Sequence, residues 1–128
     1  DGDILGALYV SDPKYNVDMF VGIGGGPEGV ITAAALDAYE CHFQGRFIFD
    51  NDQSIMEAKL MGINNFDKKY ELNEIIKGDS IFCATGITNN DFLNGIILEN
   101  NNYISETLVT HKNSNFSKII KNTNLINE

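Results

Sequence analysis

Five consecutive residues, Gly24, Gly25, Gly26, Pro27 and Glu28, are the part of this chain whose types and order could do chemistry. Glycine carries no Cβ, so successive glycines let an oxygen-rich ligand come close to the backbone. Pro27 suits the first turn of a helix, where its missing amide hydrogen is not needed. The helix beginning there offers free amide groups and a partial positive charge at its amino end. Glu28 adds one hard oxygen donor in the same turn. The combination suits a divalent cation that holds a phosphate ester. Two other readings use the same residues. The glycines could make a plain strand-to-helix turn, with Glu28 merely complementing the helix dipole. Gly22-Ile23-Gly24 could also begin a dinucleotide-binding loop, with residues 47–50 (FIFD) a second strand ending in an acid. Three features oppose that last reading. Pro27 stands where glycine permits close packing, Glu28 would face the pyrophosphate, and Gly22 lies further from Asp50 than such motifs use.

The elements that must position this bend follow from pattern. Residues 17–23 (VDMFVGI) are β-rich and apolar on both faces, which predicts a central, covered strand running into the glycines. An alanine-rich helix is predicted from Pro27 to about Tyr39, and a short helix over residues 1–10 before a turn at 11–16. Residues 45–49 read as a strand, 53–61 as a helix stopped by Gly62, and 71–77 as a short helix stopped by Gly78. Residues 80–84 (SIFCA) read as a buried strand that leads into Thr85-Gly86-Ile87-Thr88, a second glycine and hydroxyl loop. Two such loops in one α/β layer suggest a shared edge for a ligand. The hydroxyls of Thr85 and Thr88 are read as structural, satisfying nearby backbone. Residues 103–111 and 116–121 have strand character and should pair through a turn at 112–115, while the asparagine-rich stretch 89–102 reads as loops. The fold class is α/β, a layered mixed sheet with flanking helices.

The chain has 128 residues, enough for one domain with a real core. Its net charge of -9, from 9 basic and 18 acidic residues, argues against nucleic acid or an anionic membrane as partner. The same acidity would repel a phosphorylated substrate unless cations compensate, and the only arginine is Arg46. Part of any such site is therefore expected to lie elsewhere. Cys41 and Cys83 lack metal-ligand or redox spacing and read as reduced structural thiols of a cytoplasmic protein. No apolar run is long enough for a membrane span. Asp1 in place of an initiator methionine is what a piece of a longer protein would show.

Several segments together resemble a known family. DGD at Asp1, Gly2 and Asp3, GIGGGPEGV at 22–30, QGR at 44–46, ATGITNNDFLNGI at 84–96 and ETL at 106–108 are similar to the carboxyl-terminal half of class II fructose-1,6-bisphosphatase. The likeness spans nearly the whole chain, so residues 1–128 are expected to be one domain, the carboxyl-terminal part of a longer sugar bisphosphatase. The resemblance implies a fold like that of the metal-dependent sugar-phosphatase superfamily. It implies hydrolysis of the 1-phosphate of fructose 1,6-bisphosphate in gluconeogenesis, with Mn²⁺ or Mg²⁺, and in some relatives action on sedoheptulose 1,7-bisphosphate. By residue it implies a metal ligand in Glu28 and substrate contacts at Asp1, Gly2, Asp3 and Gly25. Without the resemblance, Asp1 and Asp3 read as a helix cap and a first-turn acid.

The departures matter as much. The family's other metal-binding acids, its water-positioning residue and its Lys/Arg phosphate cluster lie in the amino-terminal half, and no segment here matches them. The region 50–54 also looks shorter than is usual. No catalytic residue is therefore assigned to this chain, and alone it is expected to have little or no phosphatase activity. Its expected partners are fructose 1,6-bisphosphate, the missing amino-terminal half and, in a homo-oligomer, further copies of the protein. The alternative from another class is a non-catalytic nucleotide- or phosphate-binding α/β module.

Overall fold

The computed structural model describes residues 2–126. Helix α1 (Gly2–Leu8) is followed by two short 3-10 turns, Tyr9–Ser11 and Pro13–Tyr15. Asp12 caps the second turn, its side chain accepting from the Lys14 amide at 3.0 Å. Helix α2 (Gly26–Asp37) comes next, with Gly25 as its amino-terminal cap. Strand β1 (Gln44–Gly45), helix α3 (Asp52–Leu60), strand β2 (Tyr70–Glu71) and helix α4 (Leu72–Ile75) make up the middle of the chain. Strands β3 (Ile81–Thr85), β4 (Ile97–Glu99), β5 (Asn102–His111) and β6 (Phe116–Leu125) complete it.

The expected α/β layering is present, and every strand pair among the described residues is antiparallel. Strand β5 is the spine of the main sheet. One of its edges pairs with β3 and then β4, and the other pairs along its whole length with β6. That leaves the far side of β6 as a sheet edge. Asn100 and Asn101 join β4 to β5 with φ of 47° and 63°, a left-handed pair that fits the twist of a two-residue hairpin. Asparagine tolerates that region better than most residues. Alternate residues of β3 and β5 then face one way. Phe82, Ala84 and Leu108 pack on Ala7 and Leu8 of α1 and Ala35 and Leu36 of α2, with Leu93 completing the core.

Helix α2 is fastened to this sheet at its carboxyl end. Asp37 is an acid at the wrong end of a helix dipole, and Lys112 from the β5–β6 turn donates to it at 2.8 Å. The Tyr39 and Ser117 hydroxyls lie 3.1 Å apart nearby. Helix α3 begins where the Asn51 side chain accepts from the Ser54 amide at 2.9 Å. It ends at Gly62, whose φ of 85° lets the Gly62 and Ile63 amides donate back to the Lys59 and Ala58 carbonyls, each at 2.9 Å.

Three expected strands differ from the structure: the strand expected to be buried over 80–84 forms as β3 but buries only Phe82, with Ile81 exposed. Residues 17–23 are neither a strand nor covered: Met19, Val21 and Ile23 are 75%, 79% and 81% exposed. The segment has strand composition but pairs with no strand among the described residues, and an unpaired strand is not stable alone. The strand expected at 45–49 shrinks to Gln44 and Gly45, paired with Glu71 and Tyr70, and Phe47 and Ile48 stay exposed. The expected paired strands 103–111 and 116–121 do form, and the second runs on to Leu125.

Candidate functional site

Helix α1 is the hub of the site, because its first turn meets the glycine bend on one side and a groove on the other. Asp3 lies in that turn. A Cβ placed on Gly24 would come 3.4 Å from Asp3 Oδ2 and 3.9 Å from Glu28 Cβ. The two acids, 25 positions apart in sequence, therefore flank one stretch of glycine backbone. Gly25 is more crowded still: a Cβ there would collide with Glu28 Oε2, since the Glu28 side chain folds back over its own helix cap. Glu28 is half-buried in the first turn of α2, and Asp3 is exposed. The result is a pair of hard oxygen donors beside open backbone at a helix amino end.

Of the residues singled out from sequence, Asp3, Gly25 and Glu28 come together here. Gly2 starts α1 with no atom within 4 Å of a hypothetical Cβ, so nothing steric demands glycine there. Asp1 lies outside the described residues. Gly2 also lines an open groove of about 440 Å³, whose walls include Ile31 of α2 and the loop from Thr85 to Thr88. The second glycine loop thus shares an edge with α1, although the bend at 24–26 does not line that groove. Thr85 meets a side chain and not the backbone expected for it: its hydroxyl lies 2.9 Å from that of Thr107, its cross-strand partner.

A divalent cation such as Mg²⁺ or Mn²⁺ is matched by carboxylate oxygens, and Mg²⁺ commonly takes only one or two carboxylates besides water and substrate phosphate. Glu28 and Asp3 fit that donor chemistry. No group of three or more His, Cys, Asp or Glu residues suited to a metal occurs among the described residues.

The residue that organises the second loop was not apparent from sequence. Glu106 accepts from the Asn94 backbone amide and the Asn94 side chain, each at 2.9 Å, while its own carbonyl accepts from Gly86 at 3.0 Å. The Asn94 side chain and amide hold the Glu106 carboxyl below its usual range. Gly86 and Gly95 allow this tight return. A Cβ on Gly86 would lie 2.5 Å from the Asn94 carbonyl oxygen, and one on Gly95 would lie 2.8 Å from the Ile87 carbonyl oxygen. Asn89 and Asn90 close the loop by accepting from the Gly95 amide and from the Phe92 and Leu93 amides. The hints in the sequence were the family-like ETL at 106–108 and the run of asparagines, which take such side-chain to backbone bonds readily. Cys41 and Cys83 are both free thiols, and burial pushes the Cys41 thiol up, away from reactivity. No helix among the described residues is long and apolar enough to cross a membrane.

Residues 1–124 match the family model described as bacterial fructose-1,6-bisphosphatase, glpX-encoded. The chain is similar to proteins named D-fructose 1,6-bisphosphatase class 2/sedoheptulose 1,7-bisphosphatase. That of Gloeobacter violaceus is 33% identical over 139 residues, covering 98% of this chain and 40% of the relative. That of Synechococcus sp. strain JA-2-3B'a(2-13) is 37% identical over 127 residues, covering 89% and 37%. That of Trichodesmium erythraeum is 30% identical over 141 residues, covering 100% and 41%. The chain thus spans about two fifths of the length of the curated relatives it matches.

Proposed function

The chain belongs to the glpX-encoded bacterial fructose-1,6-bisphosphatase family, and from that premise we propose that it supplies one side of a metal-dependent sugar-bisphosphate phosphatase site that the remainder of a longer protein completes. The observation that carries this reading is the placing of the Asp3 carboxylate beside Gly24 and of the Glu28 carboxylate beside the next residue, Gly25. In it, Glu28 donates an oxygen to Mn²⁺ or Mg²⁺, and the substrate contacts Gly25 next to the Glu28 carboxylate that folds over it. Asp1, Gly2 and Asp3 take sugar hydroxyls through carboxylate and backbone. A bound cation of this kind polarises a phosphoryl oxygen and offsets the charge that develops during displacement.

The reaction is removal of the 1-phosphate of fructose 1,6-bisphosphate, a gluconeogenic step in the cytoplasm, with sedoheptulose 1,7-bisphosphate as a second substrate. Both activities appear in the names of the relatives. Two carboxylates cannot furnish the donors of a two-metal site, so the chain alone should release negligible phosphate. Phosphate release is measured with Mn²⁺ for the chain alone and for the chain co-expressed with the part of the Gloeobacter violaceus relative that it does not match. Activity is expected only from the pair, and Glu28→Gln should abolish it. Robust turnover by the chain alone would contradict the need for further ligands. Nucleotide binding that survives Glu28→Gln would favour a binding module instead.

A further inference from the structure

Residues 17–23 combine three properties that a finished protein surface rarely combines. Met19, Val21 and Ile23 form one row at strand period, all three at least 75% exposed. Phe20 turns the opposite way, onto α1, where a Cβ on Gly6 would come 2.7 Å from its Cε2. No backbone hydrogen bond between described residues involves any of residues 17–24, so a run of donors and acceptors is left to water. An extended apolar segment with one face seated and the other face and both edges open is a strand waiting for a sheet.

We propose that residues 17–23 are a sheet-forming strand whose partner strand comes from the part of the family fold outside this chain, and that this pairing fixes the bend carrying Glu28. The proposal rests on the fragment reading above and adds the place and manner of assembly. Length identifies the occupant: the relatives carry the matched region within chains of which it is only 37–41%. Charge points the same way. A second copy would bring two chains of net charge -9 together, whereas a site for a bisphosphate needs more cationic charge than the 9 basic residues this chain sets against 18 acidic ones. The bend follows directly on this segment in sequence, and α2 is fastened at its far end through Asp37 and Lys112. Pairing along 17–23 would therefore hold the bend from its other side, so that Glu28 is fixed when the sheet is completed.

The test is co-expression of this chain, tagged, with the unmatched three fifths of the Gloeobacter violaceus relative, followed by hydrogen exchange of residues 17–23. The expected result is co-purification, with exchange in that segment slowed at least about 100-fold relative to the chain alone. The double variant Met19→Ser, Val21→Ser should weaken association by about tenfold or more, and should leave the melting temperature of the free chain unchanged because both side chains are exposed. Failure to co-purify would overturn the proposal. So would a complex in which residues 17–23 exchange as in the free chain, or a free chain already dimeric with that segment protected. Protection without phosphate release would uphold the strand pairing and refute the catalytic reading. Phosphate release without protection would do the reverse.

Discussion

Replacing Gly25 by alanine should separate function from folding. Gly25 has φ -69° and ψ 160°, a region any residue adopts, so the backbone accepts alanine without strain. The new Cβ would touch Pro27 Cδ at an ordinary 3.6 Å, yet it would occupy the space of Glu28 Oε2. Because that oxygen ends a flexible side chain, it yields rather than the backbone. Clearing it to ordinary contact requires a shift on the order of 1 Å, a misplacement that can cost about 10²-fold in rate, or about 2.7 kcal/mol of transition-state stabilisation. Stability should change little. Alanine is a poorer helix cap than glycine by up to about 1 kcal/mol, and it recovers about 0.4–1 kcal/mol by restricting the unfolded chain. The assay is kcat/KM and the Mn²⁺ concentration for half-activation in the completed enzyme, beside a thermal melt. A variant with normal melting and kcat/KM within about threefold of wild type would show that the position of Glu28 is not used. A melting temperature far below wild type would refute the claim that the backbone accepts the methyl group.

Gly95→Ala should behave in the opposite way, because its Cβ would meet backbone atoms of Ile87, Thr88 and Asn89 at 2.8–2.9 Å, which cannot swing aside; a loss of about 1–3 kcal/mol in denaturant unfolding is expected. Glu106 anchors its loop as a carboxylate, and its lowered pKa makes the contribution fully present above the ordinary carboxylate pKa and lost as pH falls through the lowered value. The melting-temperature gap between wild type and Glu106→Gln should therefore be widest above the ordinary carboxylate range and close as pH falls through the lowered pKa of Glu106, whereas a gap independent of pH would discount the clamp. Lys112→Ala should lower the melting temperature clearly in the wild-type chain and much less in an Asp37→Asn background, since the damage comes from stranding the buried Asp37 carboxylate. Equal losses in both backgrounds would show that the pair is not coupled.

Where structure depends on neighbours close in sequence, the amino-acid order was readable. The β5–β6 hairpin, the stop of α3 at Gly62 and the proline-led start of α2 each rest on local chemistry. Residues 17–23 and most of 45–49 differ because their strand character reports a preference for a sheet that the described residues do not provide. The site divided along the same line. Gly25 and Glu28 stood out through the geometry their types permit, whereas Asp3 stood out only through likeness to a family, since nothing in its spacing says that α1 folds back to Gly24. The grip of Glu106 on Asn94 reaches 12 positions, from strand β5 back to an aperiodic loop, and no pattern announces such a contact.

The outer edge of β6 has a consequence for the behaviour of the polypeptide in a crowded cell. Ten residues of extended backbone with Ile119 and Ile120 exposed are a template on which another chain could add itself, and repeated addition leads to fibrils or precipitate. Lysines stand guard against this: Lys121 shares a sheet face with Ile119, and Lys118 shares the opposite face with Ile120. Each isoleucine therefore has an ammonium group two positions away in its own row, and an incoming strand would have to strip water from it. Neutralising those two lysines, by acetylation or by substitution, would turn a tolerated rim into a seeding surface without altering any residue of the core.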